Sequence, residues 1–460
     1  MAVSRCAGGC EDHFDLRRAF LQLGRVRRAS KRRGRGKKIG LVAAAAAVVL
    51  LGGALLRVAA VLDGELTPER LAARLEEASF ADVSIGSVER SGTLLSPHVS
   101  VKQLVLAPRG GGAALLEVRE VEVEVRLLPL LVRRIEVARA VVFGPEVRAT
   151  IAADGRNDFL ELFQGPPGEP GTAAGRGEKV RERQRFVAAL DELRVVDGAA
   201  SVALAKSNLR LELVAFSGQM DAIEVDPDNL AATNRAALEI AGVVRVFELE
   251  RPAELGLVEL RGPASVRLFD PVSGELSPDA DGHLAIGAGS YLGTRLPLFA
   301  KSWGKLDAIR NLGVGVPLVP ERLELTEGAV ALRYRNGAWE LFEPLRGSLD
   351  GWELLLDKGF TIDPSADRQA GALWVYPTDE WAQAFLASVG GLLGKVSESL
   401  GTGTEAELRD TWYQDGRMVI ILDVEGSLSS PEVDLRNPLP DGKKMLENAG
   451  KGLLDRLLGD

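Results

Sequence analysis

From Val121 to Leu127 the apolar residues fall at every second position, with Glu122, Glu124 and Arg126 between them. A strand sends Val121, Val123, Val125 and Leu127 to one face and the charges to the other, whereas a helix would spread them around its circumference. The alternation resumes beyond the apolar hinge "LLPLLV" in "RRIEVARAVVFGPEVRATI", where Val137, Val141 and Val147 are assigned to the same apolar side and Gly144-Pro145 is read as a break between two strands. Upstream, "DVSIGSVERSG" and "HVSVKQLVLAP" alternate in the same way, and the phase of "LLEVREVEVEVRLLPLL" slips at Arg119-Glu120 as a bulge would make it do. Downstream, "LRVVDGAASVALA", "NLRLELVAFSGQMD", "LEIAGVVRVFELE", "GLVELRGPASVRLF", "ERLELTEGAVALRYRNGAWEL" and "RMVIILDVEGSLSSPEVDL" repeat the theme of strand, Gly-containing turn, strand. The pattern predicts a mainly β fold, a long antiparallel sheet with one apolar face.

A few amphipathic helices interrupt it. In "LTPERLAARLEEASF", Thr67 can cap the helix, Pro68 suits its first position, and Leu71 and Leu75 share a side. Helices are also predicted for "VRERQRFVAALDEL", near 303–312, over 378–400 and over 441–460. "QGPPGEPGTAAGRGEK" has no periodicity, so 164–182 reads as a linker or long loop between a β region at 62–163 and a second at 183–440. "SPDADGHL" reads as a solvated turn; its Asp279 and Asp281 lack the rest of a calcium loop.

Charge divides the chain. Residues 1–38 hold 12 Lys and Arg against three acids, and the remainder holds 44 basic and 62 acidic residues. A nucleic-acid binder would carry its positive charge on the folded part, so no nucleic-acid partner is expected. The basic tail ends in Lys31, Arg32, Arg33, Arg35, Lys37 and Lys38, and "IGLVAAAAAVVLLGGALL" (39–56) follows without a charge. As a helix those residues would cover about 27 Å, the depth of a bilayer's hydrocarbon core. The sequence therefore predicts a transmembrane anchor over 39–61, with the basic flank and the N-terminus cytoplasmic and the rest exported.

Catalytic signals are sparse. Cys6, Cys10 and His13 could supply three metal ligands where a closed zinc site wants four, so no metal is expected there. The other two histidines, His98 and His283, sit in strand-like contexts, and no nucleophile elbow, zinc-protease motif or phosphate-binding loop is present. The reading is a non-enzyme without a cofactor.

The anchor, the helix "LTPERLAARL", the unit "VSIGSVERSGTLLSPHVSVKQLVL", the segment from "LLEVREVEVEV" through "GPEVRATIAADGRND" and the closing "LDVEGSLSSPEVDL" together resemble the AsmA-like family of envelope proteins. That resemblance implies a long curled sheet whose concave apolar side is a groove for lipid acyl chains. It also implies an inner-membrane protein with most of its chain in the periplasm, acting in phospholipid transfer or outer-membrane biogenesis. The candidate lining is Val121, Val123, Val125, Leu127, Val137, Val141 and Val147; the expected partners are phospholipid, the inner membrane through 39–61, and an envelope protein or a second copy of the chain. About 20 strands at 4.7–4.9 Å each would span at most roughly 95 Å. The alternative is an anchored scaffold that binds another envelope protein through a sheet edge, its apolar face filled by its own side chains.

Overall fold

The computed structural model describes residues 67–164, 187–310, 321–397 and 412–436, apart from Leu94, Arg133, Pro252, Ser273, Glu275 and Asn336. Among them no helix is long and apolar enough to cross a membrane. The basic flank, the apolar run at 39–61, the Cys6/Cys10/His13 cluster and the helix expected at 441–460 lie outside the described residues.

Helix α1 (Pro68–Ala78) leads into β1 (Ala81–Gly92), β2 (Pro97–Pro108) and β3 (Leu116–Arg126); a 3-10 turn, η1 (Leu128–Val132), joins β3 to β4 (Arg134–Ile151). Beyond α2 (Asp158–Gln164) come β5 (Val187–Leu190), β6 (Leu193–Leu204), β7 (Leu209–Met220), β8 (Ile223–Val225), β9 (Arg235–Glu248), β10 (Glu254–Phe269), β11 (Leu276–Ile286) and β12 (Tyr291–Gly293). Helix α3 (Pro297–Arg310) precedes β13 (Arg322–Leu325), β14 (Gly328–Arg335), β15 (Ala338–Leu341), β16 (Leu345–Leu349), β17 (Trp352–Leu356), β18 (Thr361–Asp363) and β19 (Arg368–Tyr376). Helix α4 (Asp379–Ser397), the small hairpin β20 (Tyr413–Gln414) and β21 (Arg417–Met418), and then β22 (Ile420–Gly426) and β23 (Pro431–Leu435) complete the order. The sequence signals at α1 act as read: the Thr67 side chain accepts the Arg70 N–H at 3.4 Å, and Leu71 and Leu75 are buried.

All strands except β20 and β21 belong to one 21-stranded, curled sheet. Strands β1 to β4 pair in sequence, antiparallel. Strand β4 then divides its outer edge, taking β5 along Arg134–Val137 and β6 along Ala140–Ile151, and both pairings are parallel. This corrects the all-antiparallel expectation. A parallel neighbour needs a connection of a dozen or more residues, and β4 and β5 are separated in the sequence by 152–186, a stretch long enough for one. Antiparallel order resumes through β6, β7, β9 and β10. At β10 the sheet forks: Gly256 and Leu257 pair with β12, while residues from Leu260 onward pair with β11. One ribbon runs β11–β14–β15–β18 and the other β12–β13–β16–β17; both rejoin on β19, which carries β22 and then β23. The longest ladder from β1 to β23 thus crosses fifteen strands, or about 70 Å of contour.

The first half of the sheet is creased. The β1–β2 register places Gly86 opposite Gln103, whose φ is +55°, and a side chain at Gly86 would collide with the Gln103 side chain. The line continues through Arg119 on β3, Gly144 on β4 (φ +56°), Asp197 on β6 (φ +53°), Ala215 on β7 (φ +51°) and Gly262 on β10 (φ +144°). Register shifts at Val195–Ala200 and at Val214–Ser217 mark where the line crosses β6 and β7. Bulges bend strands and increase their twist. On β3 the crease, shared with Gln103 and Gly144 on the neighbouring strands, buries both Val118 and Val121, although Arg119 and Glu120 separate them. The phase slip read at Arg119-Glu120 is present, but it is not a bulge. Pairing keeps its register on both sides, with Val118 and Glu120 opposite Leu104 and Lys102 on β2 and opposite Pro145 and Phe143 on β4, and the register irregularity of β3 lies at Glu124–Val125. Gly144-Pro145 is a bend within the single 18-residue β4 and not the end of a strand.

Two cores follow from the bend. The first joins Leu71 and Leu75 of α1, Phe159 and Leu162 of α2, the inner face of β1 to β10, and Tyr334. The second lies under α3 and α4, where Trp303, Trp352, Trp381, Phe385 and Trp412 form a chain of rings with successive centroids 6.2, 5.1, 5.4 and 5.4 Å apart. Other expectations shift. Strand β5 takes the "VAAL" of a segment that reads as helical, because pairing with β4 and β8 outweighs helix propensity. "SPDADGHL" is the middle of β11, not a turn: Asp279 meets Arg267 and Arg335, and Asp281 meets Arg333. Helices α3 and α4 occupy the regions predicted near 303–312 and over 378–400.

A buried carboxylate ties distant turns together. Asp367, 3% exposed in the β18–β19 turn, accepts the Ser207 hydroxyl at 2.6 Å from the β6–β7 turn and the Leu428 N–H at 3.1 Å from the β22–β23 turn. Lys206 lies 3.5 Å from the same carboxylate. Asp367→Ala strands the hydroxyl and the amide and is expected to cost about 3 kcal/mol in chemical denaturation of the full chain. Lys206→Ala, removing a largely exposed cation, is expected to cost under about 1 kcal/mol in the same assay. At the crease, Gly144→Val forces a β-branched residue into the left-handed region against the Arg119 side chain, 3.3 Å from the new Cβ, and is expected to cost about 1–3 kcal/mol.

Candidate apolar cavity

Where the first half of the sheet faces itself, the inner sides of β3, β4, β6, β7, β9, β10, β11, β14 and β15 enclose a void. Its volume is about 200 Å³, and about 1730 Å³ when the part open to solvent is counted. A dry apolar cavity of roughly 150 Å³ accepts a benzene ring, so a void of about 200 Å³ holds several methylene groups. Valine, leucine, isoleucine and alanine dominate the wall, and the polar residues along it are Gln219 and Asp281. The Asp281 carboxylate is engaged by Arg333 Nε at 2.7 Å.

The crease shapes the floor. Gly198, Gly218 and Gly242 meet around Phe216: a Cβ on each would come within 3.2, 3.3 and 3.5 Å of Phe216 atoms. A side chain at Gly198 or Gly218 would crowd the ring, so the glycines leave room for Phe216 at the bend. Opposite, Tyr334 and Trp339 hold their ring centroids 4.9 Å apart and close the wall contributed by β14 and β15.

Of the seven valine and leucine positions singled out in the sequence, Val121 and Val147 line the void. Val123, Val125 and Val137 lie beside it, buried in the first core, and Leu127 packs against that core half-buried. Val141 faces the other way. The register sets it opposite Glu122 and Arg194 on the charged side, because an irregularity at Glu124–Val125 pairs Val137 and Ala140, and then Val142, with the inner valines of β3. Phe216, Val266, Leu332, Tyr334 and Trp339 complete the wall; their strands alternate as plainly as β3, but no local signal says which strands meet across the bend.

The outer face of the sheet is wet and ion-paired. Arg126 meets Asp191 at 2.6 Å, Arg148 meets Glu146 at 2.7 Å and Glu117 at 3.1 Å, and Lys102 meets Glu89 at 2.8 Å. The hydrogen bond from Lys102 to Glu89 holds its ammonium pKa above the usual lysine range. Such exposed pairs contribute little to stability, and their effect here is to make the two faces chemically opposite. Among the described residues no group of three or more His, Cys, Asp or Glu is placed to hold a metal ion. No protein-family description, curated protein or solved structure matches this chain.

Phe216→Ala is expected to enlarge the void and to cost about 1–3 kcal/mol, less than a fully buried phenylalanine because the residue is only partly buried. Titration with an environment-sensitive alkyl dye should show tighter binding by the variant than by the parent chain.

Proposed function

We propose that this chain is an AsmA-like protein, anchored in the inner membrane through 39–61, that holds phospholipid acyl chains in the apolar cavity and supports their transfer across the periplasm or the building of the outer envelope. The observation that carries the reading is a void, open to solvent and bounded mainly by apolar side chains, in a sheet whose opposite face is charged. A tail leaving its bilayer exposes each methylene at about 0.8 kcal/mol, so six to eight methylenes represent roughly 5–6 kcal/mol of barrier that an aliphatic cavity removes. Valine, leucine and alanine walls suit a cargo of variable chain length, because they exclude water without requiring a specific contact. The head group stays in solvent at the mouth, and the reading assigns no catalytic step to any residue.

Mass spectrometry of lipid retained by the purified full chain tests this. Phospholipid is expected with the parent protein. Ala264 is a half-buried residue of the wall, and Ala264→Trp is expected to displace that lipid while the melting temperature holds. A parent chain that purifies free of lipid, or an Ala264→Trp variant that retains as much, overturns the reading.

A further inference from the structure

Three of the large aliphatic side chains that the fold leaves in water lie on two turns at one end of β1 to β4: Leu95 is 56%, Leu128 59% and Val132 75% exposed. The Leu127 N–H donates to the Leu95 carbonyl at 3.0 Å, so the β1–β2 turn and η1 stand side by side. From there the inner face runs inward without a polar residue: Leu127 packs on the first core, then come the paired rows Val125–Val137, Val123–Ala140 and Val121–Val142, the last on the cavity wall. The register also puts Arg90 opposite buried Val99, on the apolar side of the edge strand, where it is exposed two residues before the β1–β2 turn. It is the charged residue of an otherwise aliphatic β1 inner face made by Ala81, Val83, Ile85 and Val88.

We infer that this tip is a docking site for an anionic phospholipid bilayer: Leu95, Leu128 and Val132 sink among the acyl chains, and Arg90 meets lipid phosphates. The inference rests on the acyl-chain reading and adds the place where cargo and membrane meet. Exposed aliphatic residues rimmed by a cation match the two layers of a bilayer surface, apolar beneath and anionic above. The apolar rows then offer a tail a water-free passage between that surface and the cavity.

The test uses the full chain carrying Cys6→Ser and Cys10→Ser, with a nitrobenzoxadiazole label on Leu128→Cys or, as a control, on Val272→Cys, whose parent residue is 94% exposed in the β10–β11 turn. The protein is reconstituted in vesicles of phosphatidylethanolamine and phosphatidylglycerol, and doxyl-labelled lipid is placed either in those vesicles or in added acceptor vesicles. The label at 128 is expected to shift to the blue and to be quenched by doxyl lipid in one of the two samples, while the label at 272 stays aqueous. Arg90→Gln is expected to weaken the contact about fivefold, the effect of one cation at an anionic surface, and replacing phosphatidylglycerol with phosphatidylcholine should do the same. A label at 128 that stays aqueous in both samples, or is shielded only when another envelope protein is added, overturns the inference. If lipid still co-purifies with such a protein, the acyl-chain reading survives and only the docking tip fails.

Discussion

An aliphatic sheet face must be covered, and the described residues that pack on the first half of the sheet hold too little helix to cover it. Helices α1 and α2 hold 11 and 7 residues, while the first ten strands present an apolar side along most of their length. At about 25 cal/mol for each Å² of apolar surface left in water, leaving that face open would cost more than a domain's net stability. The sheet therefore covers itself. It bends along the line from Gly86 to Gly262 until β14 and β15 oppose β3, β4 and β6, and the void is the space that the bend does not close.

The crease explains why the cavity and the core share one set of strands. Away from the bend the walls meet, and Val123, Val125 and Val137 are buried in the core. Close to it Gly198 and Gly218, which carry no side chain, pack around Phe216 on the cavity wall. In the second half of the sheet, α3, α4 and a string of tryptophans do the covering, so the same kind of face becomes an ordinary core there. Whether an apolar face turns into a binding space or a packed interior is decided by what lies opposite.

Local order is therefore legible in the sequence, and its partners are not. Alternation finds β3, the Thr67 cap finds the start of α1, and the pair Val118 and Val121 reveals the change of phase at Arg119-Glu120, although it is a crease shared across strands and not the bulge it resembles. Gly144-Pro145 looks like an end because both residues usually end strands; only the neighbouring register shows that β4 continues through it. Val141 reads as inward because simple alternation takes no account of the irregularity near Val137. Parallel pairing of β4 with β6, the fork at β10 and the wall made by Tyr334 and Trp339 all join segments far apart in the chain, for which periodicity carries no signal.

The clamp at Asp367 gives the architecture a temporal order. Ser207 and Asp367 are separated by 160 positions, and Leu428 stands another 61 beyond. During synthesis the meander of β1 to β3 has only near neighbours to find and can form early, whereas the knot of three turns waits until almost the whole polypeptide has emerged. For that interval the aliphatic side is unsheltered, and the growing molecule is at its stickiest. The connectivity thus ties the shelter of the apolar face to contacts that close last.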